Sequence, residues 1–383
     1  MIIANFMDSS LLDLQKKGVI TNAPEIYNPG RRYERVLHFT PHIQDIGLQS
    51  DFEPWHITLI HYPALGINPV SFLVSLVKVW HIFRREKVQL VRGRLPYMGS
   101  LIGLIAARLQ GIPFVVSLGG DNRIGQCRTG QYHYNSKFLS YGMEWLVLRF
   151  ANSVIAPNQF TARYVADIIG ARNSELKTIV IPWLSKPIIP KEDVDLNHMG
   201  FSKDQLIVLI IGFLNKYKYT DVIYDAIDTI TLPEEHHNKV VFCFCGDGPL
   251  KEDGTRRFAD RSDIRFLGWQ DHAIISALIL KSACVLIPMS GFVLLEAASA
   301  GKPVITSDVE WHQELVIDGV TGLVVDPENP QMWREAIIRL FCGTSGASEM
   351  GNRLKQRYLN HYAPERSVKL EHELYEKLIS GKK

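Results

Sequence analysis

Long apolar runs are missing from this chain. No segment of its 383 residues reaches the ~18 uninterrupted apolar positions of a bilayer-crossing helix, so none is expected to span a membrane. An excess of one charge is missing too. Forty-two Lys and Arg stand against 40 Asp and Glu, a formal net charge of +2, so no general field for nucleic acid exists and each cation is judged where it stands. Cysteine is scarce: Cys127, Cys243, Cys245, Cys284 and Cys342 are odd in number and form no CxxC pair. That argues against a disulfide framework and a metal site and fits reduced thiols in a cytoplasmic protein. The first 17 residues carry Asp8 and Asp13 and lack a basic start followed by a long apolar stretch, so no cleaved leader is expected. Solenoid repeats and low-complexity tracts are also lacking.

What the chain does have is a series of short apolar runs alternating with helical stretches. Runs at 35–39, 57–60, 89–91, 114–118, 153–156 and 178–181 form a first series; runs at 206–211, 240–244, 264–267, 284–287, 303–306 and 322–325 form a second. Such runs, apolar on both faces, are the strands of parallel sheets covered by helices. The length exceeds what one core serves, so two doubly wound α/β domains are expected. Pro182, Pro187 and Pro190 forbid a helix between them and mark a linker. The expected domains are 1–187 and 188–363, with the C-terminal helix, about 364–383, packing back on the first.

The segment Cys284 to Ile305 reads as strand, glycine-bearing loop, short helix and strand. Gly291 lets a ligand approach the main chain, and the first amides of a helix beginning there have no intrahelical partner. A diphosphate suits such an end. Glu296, about one turn on, is placed to accept hydrogen bonds from sugar hydroxyls; Gly301 and Pro303 end the helix. An ordinary crossover whose glycine only makes a turn explains this segment equally well.

Several motifs together resemble the family 4 glycosyltransferases of the GT-B fold. They are Gly246-Asp247-Gly248-Pro249-Leu250 after a strand, Phe266-Leu267-Gly268-Trp269, the segment through Glu296, and Ile317 to Val325; in the first half, Arg108 to Val116 is similar to a helix-to-strand passage of that family. The resemblance implies two Rossmann-like domains facing across a cleft, the acceptor in the first and a nucleotide-sugar donor, such as a UDP- or GDP-sugar, in the second. It implies transfer with retention of configuration, without metal or other cofactor. It further implies that Glu296 holds the donor ribose, that Gly246, Gly248 and the backbone near Trp269 flank the nucleotide, and that Lys218 pairs with the diphosphate. Gly212, Lys216, Ser290, Gly291, Phe292, Val293 and Leu294 complete the expected donor site.

The chain departs from the family at three places. Phe213 stands where members carry an arginine, Ser290 precedes Gly291 where a first glutamate belongs, and Gly119 replaces a first-domain histidine. In that loop Gly119 and Gly120 leave room for an acceptor, Asp121 is placed to take or orient its proton, and Arg123 to face a phosphate, unless the last two simply pair with each other. Arg92 and Arg94, after an expected strand end at Val91, are further acceptor candidates, or solvated turn residues. The helix bearing Trp80, His81, Phe83, Arg84, Arg85 and Lys87 mixes aromatic and basic side chains, a pattern for peripheral contact with the inner face of a membrane if the acceptor is lipid-linked, or for packing on a sheet. His236-His237 with Cys243 is a weak metal pattern. The catalytic candidates are thus Asp121, Lys218 and Glu296. The expected function is glycosyl transfer to a glycan or lipid-linked acceptor in cell-surface polysaccharide or glycoconjugate biosynthesis. The alternatives are an epimerase or phosphorylase on the same fold, or a degenerate nucleotide-sugar-binding subunit.

Overall fold

The computed structural model describes residues 1–383 apart from 17–22, 64–67, 125–135, 186, 189–193, 195, 197–198, 203, 237–238, 290, 343–345 and 382–383. It divides into two units, Met1–Leu184 with Ser367–Lys383, and Ser185–Arg366.

The first unit is built on a parallel sheet of strands β1 (Ile2–Phe6), β2 (Arg35–Thr40), β3 (Ile57–His61), β4 (Leu90–Gly93), β5 (Phe114–Ser117), β6 (Ser153–Ala156) and β7 (Thr178–Val180). Their order is β3-β2-β1-β4-β5-β6-β7, so the winding direction reverses between β1 and β4. Strand β1 was not among the expected runs, yet it is the sheet's pivot; Ile2-Ile3-Ala4-Asn5-Phe6 carried the same two-faced apolar signal. One face of the sheet buries Phe6 and Phe39, stacked at 4.6 Å between centroids, against Val79 and Phe83 of the Pro69–Glu86 helix and Leu104 of the Met98–Leu109 helix. The other face buries Ile3, Leu90 and Val115 against Leu374 and Tyr375 of the Pro364–Ser380 helix. The C-terminal helix is therefore part of this unit's core. Asn68 caps the Pro69–Glu86 helix, its side chain accepting from the amides of Val70 and Ser71, and Pro69 at the first helical position supplies no amide that would need a partner.

The second unit carries β8 (Leu206–Ile211), β9 (Val240–Cys245), β10 (Ile264–Gly268), β11 (Cys284–Ile287), β12 (Val304–Ser307) and β13 (Leu323–Val325), all parallel, in the order β10-β9-β8-β11-β12-β13. Its reversal lies between β8 and β11. In both units the chain is doubly wound, and in such sheets ligands bind outside the carboxyl ends of the strands at the reversal. Cys243, Cys245 and Cys284 are buried free thiols, and burial pushes the Cys284 thiol up to about 12. Cys127 lies outside the described residues, as does the side chain of Cys342. Among the described residues no helix is long and apolar enough to cross a membrane.

Candidate active site

In the second unit the loop after β8 and the helix after β11 flank the winding reversal. The β8 loop is held stiffly. The Gly212 amide donates to the Cys245 carbonyl at 3.0 Å and the Leu214 amide to the Asp247 carbonyl at 2.9 Å, extending the β8–β9 ladder beyond the strands. The approach is so close that a Cβ on Gly246 would fall 1.8 Å from the Gly212 carbonyl oxygen, and one on Gly248 2.4 Å from that of Leu214. Loop-on-loop packing thus requires both glycines before any ligand is considered. Asp247, passed over in the sequence, ties the next strand in: its Oδ2 accepts from the Trp269 amide at 3.0 Å and its Oδ1 from Lys251 at 2.5 Å. The Trp269 amide is therefore taken, and what it offers a ligand is an exposed indole. Phe213, Trp269 and Phe292 are 57%, 56% and 54% exposed at the carboxyl edge.

Beyond Leu214, Asn215 caps a single turn, Lys216–Lys218, by accepting from the Lys218 amide at 2.9 Å, and Tyr219 takes left-handed angles to begin the Thr220–Asp228 helix. Lys216 is exposed and Lys218 half-buried. Burial lowers the pKa of the Lys218 ammonium, against the opposing field of Glu310, and the lysine in turn is one cause of the depressed pKa of His312. Glu310 and His312 both follow β12, on the far side of β11 from β8. The ammonium lies 5.6 Å from the centroid of the Tyr217 ring.

That helix has ten residues, with Val293 and Leu294 buried and Gly301 closing it at a positive φ of 71°. What Gly291, Phe292, Val293 and Leu294 offer is their amides. Ser290 lies outside the described residues. The loop before the helix is anchored by the Ser307 hydroxyl on the Pro288 carbonyl and the Thr306 hydroxyl on that of Ile287. Glu296 is held by a partner the sequence did not suggest, His272, whose Nε2 lies 3.1 Å from Oε1. His272 opens the helix His272–Lys281, capped by Asp271, so only the fold brings the pair together.

In the first unit the acceptor candidates part company. Arg92 is not at the end of its strand: β4 runs on to Gly93, and Arg92 pairs in register with Asn5. It is 6% exposed, its guanidinium engaged by Glu371 and the Tyr375 hydroxyl at 2.5 Å, so it fastens the C-terminal helix. Arg94 donates to Asn5 Oδ1 and to the Ile26 carbonyl, both at 3.1 Å, over the Tyr27 ring. Both arginines are consumed internally. Gly119 is exposed, and a Cβ on Gly120 would meet nothing within 4 Å. The Asp121 carboxylate, expected to be open to a proton, accepts from the Arg123 amide at 2.8 Å and from Nε and Nη2 along one edge of its guanidinium, and its side chain is 5% exposed. Arg123 also reaches Asp167 at 3.0 Å and covers the Tyr164 ring. The mutual pair is what forms: it engages the buried Asp121 carboxylate, while the Arg123 side chain stays 39% exposed. His236 contacts the Phe341 carbonyl, and His237 lies outside the described residues.

The sequence matches the family profiles Glycosyltransferase Family 4 over residues 33–182 and Glycosyl transferases group 1 over residues 205–342. It is 30% identical over 229 residues, 56% of this chain and 57% of the relative, to a D-rhamnosyltransferase, WbpZ, of Pseudomonas aeruginosa. It is 22% identical over 329 residues, 78% of each chain, to an Escherichia coli UDP-Gal:alpha-D-GlcNAc-diphosphoundecaprenol alpha-1,3-galactosyltransferase. Among solved structures, Anabaena HepE in complex with UDP superposes with a TM-score of 0.76 at 19% identity, covering 99% of this chain and 100% of that one, a likeness of fold. Two doubly wound units, each matched by a glycosyltransferase profile, place the chain in family 4 of the glycosyltransferases, with the GT-B fold.

Proposed function

We propose that this glycosyltransferase takes a sugar from a nucleoside-diphosphate donor bound by the second unit, with retention of configuration, and passes it to a glycan or lipid-linked acceptor met by the first unit, in cell-surface polysaccharide or glycoconjugate biosynthesis. The observation that carries this reading is Lys218, a half-buried cation on the loop after β8, beside the winding reversal from which the Gly291–Ala300 helix follows β11. A cation and a helix N-terminus converging on one point stabilise a bound diphosphate without a metal, each by about 1 kcal/mol in a partly buried setting, and by about 3 kcal/mol as charge develops on the departing group. Glu296 accepts from ribose hydroxyls, and the exposed Phe213, Trp269 and Phe292 give the nucleotide apolar walls in place of the missing arginine.

The lipid-linked acceptor of the galactosyltransferase relative supports the acceptor class, and the Pro69–Glu86 helix supports a role at the cytoplasmic face of a membrane. The sequence assigned Phe83 to that face, but it is in the core; the outward stripe is Val70, Leu73, Val74 and Val77, one helical face, followed by exposed Lys78, Arg84 and Arg85. The test is a thermal-shift panel of UDP, GDP, ADP and their sugars, followed by transfer from the stabilising donor to undecaprenyl-diphosphate-linked sugars in EDTA. A ligand at ~100 times its Kd raises stability by roughly 2.7 kcal/mol. Lys218→Ala is expected to lower kcat/KM about 100-fold, the usual loss for one charge-stabilising donor. Donor binding without turnover on any acceptor refutes the transferase assignment, and full activity of Lys218→Ala refutes the site.

A further inference from the structure

Glu296 does not hold its rotamer unaided. His272 Nε2 lies 3.1 Å from Oε1, and His272 Nδ1 lies 3.3 Å from the hydroxyl of Ser276, one turn further along the His272–Lys281 helix. That hydroxyl also donates to the His272 carbonyl at 2.6 Å. An ionised carboxylate only accepts hydrogen bonds, so the proton facing Oε1 sits on Nε2, whichever way the Ser276 hydroxyl turns. The pair is a product of the crossover. From β10 the chain passes over β9 and β8 to reach β11, which sets the first residue of the His272–Lys281 helix against the second turn of the Gly291–Ala300 helix. Among the described residues no donor meets Oε2, and the Glu296 side chain keeps 16% of its surface exposed, so this second oxygen is the one open to a ligand.

We propose that His272 is a positioning residue for the donor ribose: its Nε2–H holds the Glu296 carboxylate by Oε1 and leaves Oε2 for the ribose hydroxyls. The proposal rests on the reading that Glu296 meets the ribose, and deepens it. A free glutamate carboxylate turns about three side-chain torsions, and a ligand that has to order it loses affinity in doing so. A carboxylate already held by a neighbouring N–H is ordered before the ligand arrives. The imidazole does not compete with the sugar, because the two carboxylate oxygens together accept about four hydrogen bonds. Ser276 steadies the imidazole in turn, so the support runs from Ser276 through His272 to Glu296.

The experiment is a set of calorimetric titrations of the full chain with UDP, GDP and ADP and with their 2′,3′-dideoxy forms. The proteins are wild type, His272→Ala, His272→Gln, Glu296→Ala and the double variant His272→Ala/Glu296→Ala. Wild type is expected to bind its preferred nucleotide at least about tenfold tighter than the dideoxy form, the usual worth of hydrogen bonds to a charged group. His272→Ala is expected to weaken the hydroxylated nucleotide about fivefold to tenfold, the cost of ordering one flexible side chain, and to leave the dideoxy affinity unchanged. His272→Gln, whose amide also donates, recovers most of that loss. In the Glu296→Ala background, removing His272 changes nothing further, because it acts only through the carboxylate. The dideoxy affinity doubles as the control for folding. His272→Ala that keeps the full preference for the hydroxyls overturns the positioning role, as does an equal loss for both forms. A wild type that binds a nucleotide without regard to its hydroxyls removes Glu296 from the ribose and this proposal with it, whereas one that binds none of the three refutes the donor reading itself.

Discussion

At the scale of single residues, this chain spends its ionisable groups on one another. Arg92, Arg94, Asp121 and Arg123 all stood out in the sequence as residue types that grip phosphates or move protons, and all four are occupied internally. The sequence showed the right types but not their neighbours: Glu371 is 279 positions from Arg92, and no local pattern announces such a pair. Lys218 and Glu296 stand beside glycine-led turns that mark strand ends, the edge where a ligand is expected, although Glu296 too is paired, with His272. Glu144, buried in the Lys137–Phe150 helix, makes a stability prediction. Its folded-state value of about 7 stands above the ordinary 4.5, so between those values the folded protein holds a proton that the unfolded chain has released. Stability therefore falls as pH rises through that window, by about 3 kcal/mol in full once pH exceeds 7. Glu144→Gln lacks this loss. Urea unfolding of the first unit should show the variant gaining about 3 kcal/mol relative to wild type between pH 4.5 and pH 8. A constant difference would contradict the burial of an ionising Glu144. His38, buried and depressed to about 3, moves stability the other way but is present in both proteins and cancels.

At the scale of elements, the carboxyl edge of the second sheet is a set of interlocked loops. The β8 and β9 loops continue their strands' hydrogen bonds, and Asp247 adds the β10 end through the Trp269 amide. Gly246 has no room for a side chain, and its φ of 150° is one that other residues rarely adopt. Gly246→Ala should destabilise the second unit by about 2 to 4 kcal/mol and weaken donor binding with it. Gly120→Ala, in open space and with no positive φ, should leave the first unit's denaturation midpoint unchanged. Equal effects of the two in chemical denaturation would refute the packing account. Most strands were legible because parallel strands buried on both faces read as unbroken apolar runs. Strand β1 escaped because so short a run at the very start of the chain was read only for what it was not, a leader.

At the scale of the whole molecule, the first unit is discontinuous and the second is not. Chain 1–184 lacks the helix that supplies Leu374 and Tyr375 to its core and Glu371 to Arg92. Removing residues 367–383 should therefore unfold the first unit, since the unpaired buried Arg92 alone costs about 3 to 5 kcal/mol. A fragment of residues 185–366 should fold and keep its thermal response to the donor nucleotide. A fragment that unfolds, or a truncated chain whose first unit stays cooperative, would contradict this division. The sequence by itself determined the class of fold and its two halves, because apolar periodicity and glycine and proline placement act over a few residues. It also marked the strand ends where a ligand is expected. Only the tertiary structure decided which charged groups remain open at those ends, because a charge buried in folding must find a partner, and that partner is set by which strands and helices become neighbours.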